Sequence, residues 1–441
     1  MEKMDRDEAA VRRAARRQRR VRNQIMAYSV SVILLLLLVA GIGFGGKVLV
    51  DKAEAKKQEE QAKIEATQEA ETVEVVSEPA SETTEPVTDE LDNLVDTNIA
   101  TMSLEDKVAG LFIVTPEAIT KVGKAVQAGD GTKKALEENP VGGLIYFSQN
   151  IASKTQLKEM ISNTILYSKY PLFIGVDEEG GEVSRLGNSS IGVDKVEAAA
   201  DIGASGDAQK AYQAATTIAT YLTEYGFNLD FAPDADVLTN PDNKVIGTRS
   251  YSADASVASS MVQSAVNGLQ EQKISACIKY FPGIGDVAED THKVAAATHK
   301  SLEEMRTMEF LPFIAGIEAG THMIMVGHIS APEVIGDETP CSLSSLMVTD
   351  VLRNELGYRG IVITDAMDMG AITEHYTDAE AAVKALQAGV DMILMPKDYA
   401  AAYQGVLEAV KDGTLTEERI NESLHRIYRI KYADTGGGSQ E

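Results

Sequence analysis

The segment KYFPGIGDVAEDTH, residues 279–292, places a lysine, three acids and a histidine directly behind an apolar run. Pro282 and two glycines break both strand and helix, so the segment is predicted to be a loop. Asp290 and His292 lie two residues apart, close enough for the carboxylate to bond the imidazole, favour its charged form and fix its tautomer. Such a pair can serve as a general acid. A solvent-exposed pair at the start of a helix is the alternative.

A second candidate is Asp365 in GIVITDAMDMG, which directly follows the mostly apolar run GIVIT. A carboxylate at the end of a buried strand is costly unless it is used. The position suits a nucleophile or an acid/base group. The alternative is a cap on the next helix, although Asp368 lies closer to that helix and is the better capping candidate.

The stretch DEEGGEVSR, residues 177–185, follows another apolar run and resembles a ligand-binding turn. Its glycine pair permits close backbone approach. Asp177 can accept hydrogen bonds from vicinal hydroxyl groups and Arg185 can donate to oxygens. A structural turn with a surface ion pair is the alternative. In KVIGTRSYS, Arg249 follows an apolar pair, which by itself is a weak signal.

Two other chemistries deserve comparison. Lys279 at a strand end suits a Schiff base, but the acids at neighbouring strand ends favour its protonated form. His292, His299, Asp290 and Asp365 offer metal ligands. Metal-binding barrels more often carry paired histidines on an early strand, and LFIVT has none. The residues therefore favour neither a Schiff base nor a metal.

Eight short apolar runs must position these groups: LFIVT, VGGLIYF, PLFIGVD, FNLDFAPD, ISACIKYFP, HMIMVGHI, GIVITDAM and DMILMP. They are continuous rather than alternating, which indicates strands covered on both faces, and the segments between them have helical periodicity. A (β/α)₈ TIM-like barrel is predicted. Nearly every run ends in an ionisable residue, and barrel sites lie at that end of the strands. These residues are Asp177, Asp234, Lys279, His328, Asp365 and Lys397.

The chain before the barrel differs in composition. Residues 1–24 are rich in arginine and are predicted to be a cytoplasmic tail, and residues 25–46 contain an uncharged apolar run long enough for a single transmembrane anchor. A cleaved signal peptide, and hence secretion, is the alternative. Residues 47–97 read as an acidic low-complexity stalk, 98–434 as the barrel domain and 435–441 as a flexible tail.

Composition excludes some partners. A net charge of −26, with basic residues clustered only near the N-terminus, argues against nucleic-acid binding. Cys277 and Cys341 have no zinc-site spacing, and one disulfide between them remains an alternative. Tryptophan is absent, so tyrosine and phenylalanine must supply any stacking surface for a sugar.

Several motifs, in order, resemble those of family 3 glycoside hydrolases of the single-domain β-N-acetylglucosaminidase type, over roughly residues 95–434. They are GVDEEGGEVSRL, NLDFAPDADV, VIGTRSYS, KYFPGIGDVAEDTH, VTDVLRNELGYRGIVITDAMDMGAI and INESLHRIYRIK. The resemblance implies a (β/α)₈ barrel that hydrolyses β-glycosides with retention. It implies Asp365 as nucleophile, His292 as acid/base and Asp290 as the residue that orients His292. It implies sugar binding by Asp177, Arg185, Arg249 and Lys279, without metal or organic cofactor.

The chain departs from the usual KHFPGHGD motif of that family at two positions, Tyr280 and Ile284. Tyr280 occupies a position that contacts a sugar hydroxyl in the family, and a phenol can still donate one hydrogen bond there. Ile284 cannot form a side-chain hydrogen bond. We therefore expect the preference for the sugar at subsite −1 to differ from that of relatives.

These features predict an externally displayed, membrane-anchored exo-β-glycosidase, with β-N-acetylhexosaminidase activity on cell-wall or other glycans. Alternatives are a β-glucosidase or β-xylosidase, and a phosphorolytic enzyme that uses phosphate as acceptor. A catalytically silent sugar-binding surface protein is an alternative from a different functional class.

Overall fold

A computed structural model describes residues 89–290 and 293–434, all within one compact unit, Pro86–Glu441. Eight parallel strands form a closed barrel in which each strand pairs with the next and the last pairs with the first. Every apolar run identified above contains one strand, so the predicted (β/α)₈ barrel is confirmed. The strands are β1 Phe112–Val114, β2 Gly143–Ile145, β3 Phe173–Val176, β4 Leu229–Asp230, β5 Ser275–Phe281, β6 Met323–Val326, β7 Ile361–Ala366 and β8 Met392–Leu394.

Helices surround the barrel in the described residues. They are α1 Glu90–Thr101, α2 Leu104–Ala109, α3 Pro116–Thr120, α4 Asp130–Glu138, α5 Lys154–Tyr167, α6 Ala199–Ala204, α7 Ala208–Tyr225, α8 Ala255–Gln270, α9 Leu302–Thr307, α10 Phe310–Glu318, α11 Pro332–Ile335, α12 Gly370–Thr373, α13 Asp378–Ala388, α14 Tyr399–Lys411 and α15 Glu417–Asp434. Short 3₁₀ turns occupy Ser148–Asn150, Gly247–Arg249 and Cys341–Leu343, and a π-helical segment occupies Leu346–Glu355. Glu178–Gly180 and Val183–Ser184 form a small antiparallel hairpin behind β3.

Local sequence signals set several helix ends. Capping boxes begin α5, α9 and α13. In each, a serine or threonine side chain accepts from the amide of the third helical residue, and the side chain of that third residue accepts from the amide of the serine or threonine. Gly226 ends α7 with φ 89° and Gly389 ends α13 with φ 108°, a conformation that glycine adopts without steric cost. The chain therefore turns back into β4 and β8 at defined positions.

Helix α1 crosses the predicted boundary between stalk and barrel at residue 98. Val95 and Ile99 are buried one turn apart, and α1 packs against α15. His425 Nε2 lies 3.5 Å from Asp92 Oδ1, and Arg429 forms an ion pair with Asp92 as well. Residues 90–97 are thus part of the folded unit, while residues 1–88 and 435–441 lie outside the described residues.

Helix α15 closes the N-terminal end of the barrel through Asp391, which is fully buried at the start of β8. The Asp391 carboxylate contacts Arg353, accepts from Ser423 Oγ at 2.7 Å and from Arg426 Nη1 at 2.9 Å, and lies 3.9 Å from Arg419. Burial alone would raise the pKa of Asp391, but the arginine charges outweigh it and hold the pKa below its usual value. This end of the barrel therefore serves stability rather than chemistry.

Lys431, on the same helix, is buried beneath the barrel. Its Nζ donates to the Gly142 carbonyl at 2.7 Å and lies 4.7 Å from the centre of the Phe173 ring. Burial lowers the pKa of Lys431 to about 7, from 10.5. Between these two values the unfolded chain binds a proton that the folded chain does not. The free energy of unfolding therefore rises with pH in this window, by at most about 1.4 kcal/mol per pH unit.

Lys431→Met removes this contribution. The difference in free energy of unfolding, variant minus wild type, is expected to decrease steadily as pH rises from 7 to 9, because the wild type recovers the cost of burying the lysine. Urea unfolding at intervals across that range measures it. The lost bond to Gly142 is independent of pH and does not affect the slope. Lys134→Met, an exposed lysine, controls for the removed charge, and a difference that stays constant with pH would refute the prediction.

Two expectations about the chain as a whole can be compared with the described residues. Cys277 and Cys341 are both buried and free, so the disulfide alternative is wrong. None of the helices in the described ranges is long and apolar enough to span a bilayer. The predicted anchor, residues 25–46, lies outside those ranges.

Candidate active site

A cleft of about 720 Å³ opens at the C-terminal ends of the barrel strands. This position is where ligands bind in barrels of this kind, and the volume suits a small ligand. Most of the residues predicted from sequence lie together on its wall: Asp177, Arg185, Arg249, Lys279, Tyr280, Asp290 and Asp365. His292 lies outside the described residues, so its acid/base role stays a prediction.

Asp365 is positioned by β7, as the run GIVITDA indicated. Its Oδ1 accepts from the Ala366 amide at 2.7 Å, and its half-buried carboxylate lines the cleft. Helix α12 is capped by Met369 without a side-chain bond. Neither Asp365 nor Asp368 therefore caps that helix. Asp368, the better capping candidate by position, precedes the N-cap residue Met369 by one residue.

His328, which follows the neighbouring strand β6, forms a hydrogen bond with the backbone next to Asp365. Its Nε2 lies 3.1 Å from the Ala366 carbonyl oxygen and its Nδ1 lies 2.8 Å from Ser342 Oγ. Because a carbonyl can only accept, Nε2 donates in this contact. The imidazole is buried and does not line the cleft. His328 thus holds the peptide that follows Asp365 in place.

Glu179 forms the centre of an ion cluster on the opposite wall. Arg249 donates to it from Nε at 2.9 Å and from Nη2 at 2.8 Å, and Lys279 Nζ lies 2.6 Å from Oε1. Lys279 Nζ also lies 3.2 Å from Asp177 Oδ1. Burial opposes the charged form of each acid, yet the two cations outweigh it and lower the pKa of Glu179. The cluster presents fixed charges and hydrogen-bonding groups to the cleft.

Lys279 is 1% exposed. Burial would lower its pKa, but the negative charge of Glu179, followed by that of Asp177, raises the pKa well above its usual value. A lysine held protonated in this way is a poor nucleophile. The contacts therefore favour a binding role over a Schiff base.

Asp177 and Arg185 form a second pair beside the cluster. Arg185 Nη2 lies 3.2 Å from Asp177 Oδ2, and its guanidinium lies 5.6 Å from the centre of the Phe147 ring. Burial would raise the pKa of Asp177, but Lys279 and Arg185 together hold the pKa below its usual value. Asp177 is therefore an acceptor, and Phe147 is an aromatic surface on the same wall.

Tyr280 replaces the histidine of the related motif and joins the cluster. Arg249 Nη2 donates to its hydroxyl at 2.6 Å, and the Lys279–Tyr280 peptide bond is cis. Burial raises the pKa of Tyr280, although Arg249 and Lys279 partly oppose this, so the phenol stays protonated. Because the oxygen accepts from Arg249, its hydrogen remains to be donated to a ligand. Ile284, by contrast, is buried in the core and does not line the cleft, so it does not contact a ligand there.

Asp234 lies behind Arg249 rather than in the cleft. Its Oδ2 is 3.9 Å from Arg249 Nη2. Burial raises the pKa of Asp234 to about 6, with Arg249 opposing and Glu179 adding to the shift. The ionisable residue at the end of the fourth run thus supports a cleft residue from behind.

Asp290 reaches the cleft from the loop that follows β5. Its Oδ2 lies 3.0 Å from Lys293 Nζ, and both residues line the cleft together with Asp365. The loop predicted to carry an acid/base pair therefore borders the same space as the strand-end carboxylate.

Sequence reasoning did not identify Glu179. Three consecutive acids, Asp177, Glu178 and Glu179, follow β3. Their roles differ because their side chains point alternately to opposite sides of the extended chain. Glu178 is fully buried and accepts from the Leu186 and Gly187 amides and from Tyr221. Neighbouring side chains of an extended chain point to opposite sides, so Asp177 and Glu179 share the cleft side. This alternation was the sequence signal that could have placed Glu179 beside Asp177 in the cleft.

Removing the charge of Glu179 leaves two buried cations without their common partner. Glu179→Gln is expected to lower the free energy of unfolding by about 3–5 kcal/mol. Denaturant unfolding monitored by circular dichroism measures the loss. Glu197→Gln, an exposed glutamate shortly after the hairpin, is the matched control. If the two variants differ by less than about 0.5 kcal/mol, the cluster does not carry the stability assigned to it.

Comparison with known proteins adds to this geometry. Residues 103–430 match the Glycosyl hydrolase family 3 N terminal domain. The chain is 30% identical over 325 residues to Beta-hexosaminidase A of Pseudoalteromonas piscicida, which covers 66% of this chain and 53% of that protein. It is 34% identical over 268 residues to a Beta-hexosaminidase of Stenotrophomonas maltophilia (strain R551-3), covering 59% of this chain and 77% of the relative.

A solved structure of similar fold is a glycoside hydrolase family 3 beta-N-acetylglucosaminidase from Paenibacillus sp. str. FPU-7. It is 35% identical with a TM-score of 0.72, over 77% of this chain and 64% of that one. The chain thus spans about half the length of the Pseudoalteromonas relative and less than two thirds of the Paenibacillus protein. The family match covers most of the chain, and the barrel and cleft agree with it. The chain belongs to glycosyl hydrolase family 3.

Proposed function

We propose that this chain is a retaining exo-β-glycosidase that removes terminal β-linked N-acetylglucosamine from glycans. The observation that carries the proposal is the cleft itself, which brings Asp365, the Asp290 loop and the Glu179 ion cluster to one space. A carboxylate opposite a proton-donating loop suits retaining hydrolysis, and fixed hydrogen-bonding groups suit a neutral sugar ring. The names of the relatives compared above support an amino sugar as substrate.

In the proposed first step, a carboxylate oxygen of Asp365 attacks the anomeric carbon while the bond to the leaving oxygen breaks. The His292 imidazolium gives its proton to that oxygen, leaving a glycosyl ester on Asp365 and a neutral imidazole. In the second step the imidazole takes a proton from water, whose oxygen displaces Asp365. Asp290 favours the charged imidazole by its own negative charge. Each group returns to its starting state without a metal or organic cofactor.

The proposed binding groups lie on the wall opposite Asp365. Asp177 accepts from sugar hydroxyls, whereas Lys279, Arg249 and Arg185 donate to sugar oxygens. Tyr280 donates one further hydrogen bond through its phenol. Because a phenol is longer than an imidazole and carries no positive charge, we expect the preference at subsite −1 to reflect this residue.

A panel of nitrophenyl β-glycosides tests the proposal on the protein from residue 89. The N-acetylglucosaminide is expected to be cleaved faster than the glucoside and the xyloside, both in the presence and in the absence of phosphate. The expected product is the free sugar. A sugar phosphate as the main product would favour phosphorolysis instead. If the wild type cleaves no substrate faster than Asp365→Ala does, the enzymatic proposal fails and a sugar-binding protein becomes the alternative.

We also propose that the chain is anchored in the membrane with the barrel outside the cell. The arginine-rich residues 1–24 and the uncharged run within 25–46 support this by charge and length. The full chain is expected in the membrane fraction after a carbonate wash and to be degraded by protease added to intact cells. Recovery of the full-length chain in the soluble fraction would contradict anchoring.

A further inference from the structure

The base of the Asp290 loop is held by side chains from a different loop, the connection after β4 (residues 231–254). Asp236 Oδ1 accepts from the Ile284 amide at 2.5 Å and from the Gly285 amide at 3.1 Å. Asn243 Nδ2 donates to the Ile284 carbonyl at 2.7 Å, and Asn240 Nδ2 donates to the Asp286 carbonyl at 3.1 Å. The backbone groups of residues 284–286 are therefore bound by this one connection.

Burial and hydrogen bonds hold the Asp236 and Asn243 side chains in place. They are 1% and 2% exposed. Asn243 Oδ1 accepts from the Val245 and Ile246 amides, at 3.0 and 2.9 Å, which fixes its side chain. A Cβ atom at Gly285 would lie 2.1 Å from the Val237 carbonyl oxygen, so the two segments pack as closely as a glycine permits.

The same connection carries Arg249, which donates to Glu179 in the cleft. Ser250 Oγ, one residue beyond Arg249, donates to the Asp236 carbonyl at 2.7 Å. The bonds from Asn243 lead into the turn that precedes Arg249. A displacement of the Asp236 and Asn243 side chains would therefore move both the cation in the cleft and the base of the Asp290 loop.

The far limb of the loop is fastened separately. Thr298 Oγ1 donates to Asp286 Oδ2 at 2.7 Å, and the Thr298 amide donates to the Ser330 carbonyl at 3.0 Å. The two limbs thus meet at Asp286 and Thr298. Asp290 belongs to the segment between these two attachment points.

We propose that Asp236 and Asn243 are positioning residues that set the base of the acid/base loop against the connection bearing Arg249. Through them, the base of the loop (residues 284–286) and the connection that carries Arg249 keep a fixed spacing. The inference rests on the proposed function for its effect on catalysis, although the physical attachment of the loop can be tested without turnover.

The chemistry of Asp236 provides a matched pair of variants. Burial, reinforced by the negative charge of Asp234, raises the pKa of Asp236 well above its usual value and so favours its neutral carboxyl form. Asparagine reproduces this neutral shape and keeps an oxygen that can accept from the Ile284 and Gly285 amides. Alanine removes the acceptor and leaves both amides without a partner. Asp236→Asn should therefore behave as the wild type and Asp236→Ala should not.

Hydrogen exchange of backbone amides, followed by mass spectrometry, tests the attachment. Asp236→Ala and Asn243→Ala are expected to exchange at least about tenfold faster over residues 284–299, with Asp236→Asn unchanged. Asn228→Ala is the control, because Asn228 also binds two backbone groups, of Ile174 and Leu172, but at the opposite end of the barrel. Unchanged exchange over residues 284–299 in both alanine variants would overturn the proposal, whatever the enzyme does.

Kinetics test the consequence. For the two alanine variants, kcat/KM is expected to fall about 10- to 100-fold on alkyl or sugar leaving groups and less than about threefold on dinitrophenol, because only poor leaving groups need the positioned acid. Asp236→Asn is expected to restore the wild-type ratio. Equal losses on both classes would overturn the positioning role. A wild type inactive on every glycoside would instead refute the proposed function, and the exchange result would still decide the attachment.

Discussion

Replacing Asp365 by alanine is expected to reduce kcat on aryl β-N-acetylglucosaminides by about 10⁴- to 10⁶-fold, the scale seen when an enzyme loses its nucleophile. The side chain lines the cleft from the end of β7, and within residues 89–290 and 293–434 its one hydrogen bond comes from the adjacent Ala366 amide. Its loss should therefore affect turnover far more than folding. Steady-state kinetics and thermal unfolding, measured together, separate the two effects.

Two variants sharpen this experiment. Asp365→Asn keeps the shape and removes the charge, and should lose activity to a similar extent. In Asp365→Ala, azide can enter the space of the lost carboxylate and attack the same face of the sugar, so that an α-glycosyl azide accumulates from an activated substrate. A β-glycosyl azide, or an Asp365→Ala variant with more than about 10% of wild-type kcat, would remove Asp365 from the nucleophile role.

Replacing His292 by alanine is expected to lower kcat/KM by about 10²- to 10⁴-fold on substrates with poor leaving groups and only a few fold on dinitrophenyl substrates. A leaving group of low basicity departs without a proton, whereas a sugar or alkyl oxygen does not. The measurement is a plot of log kcat/KM against the pKa of the leaving group, which should be much steeper for the variant.

The chain offers a matched control for this prediction. His299 lies seven residues beyond His292 on the same segment, but it is exposed and does not line the cleft. His299→Ala should give the same slope as the wild type. If His292→Ala loses activity equally on all leaving groups, His292 is not the proton donor of the first step.

The fold was largely predictable because each strand of a parallel barrel is buried on both faces. The eight apolar runs are therefore continuous and stand out from the helical segments. The same rule placed Asp365 and Lys279 at strand ends and hence in one cleft. The start of the folded unit was less clear, because Val95 and Ile99 are the two buried residues of α1 where it packs on α15, and the rest of α1 resembles the acidic stalk.

The details of the site depended on neighbours that the sequence does not bring together. Glu179 contacts Arg249 seventy residues away and Lys279 one hundred residues away. The position of a residue in a motif also does not determine whether its side chain points into the cleft or into the core, as Ile284 shows. It belongs to the same loop motif as Tyr280 but packs into the core, whereas Tyr280 lines the cleft.

The central claim is that turnover proceeds through a sugar covalently bound to Asp365. A β-N-acetylglucosaminyl fluoride with a second fluorine at C5 forms such an intermediate and slows its hydrolysis. The labelled protein can therefore be digested and its peptides analysed by mass spectrometry. The account predicts one sugar adduct on the peptide from β7 that contains Asp365, and none in Asp365→Ala. A label on a different residue, or turnover without any labelled protein, would contradict it.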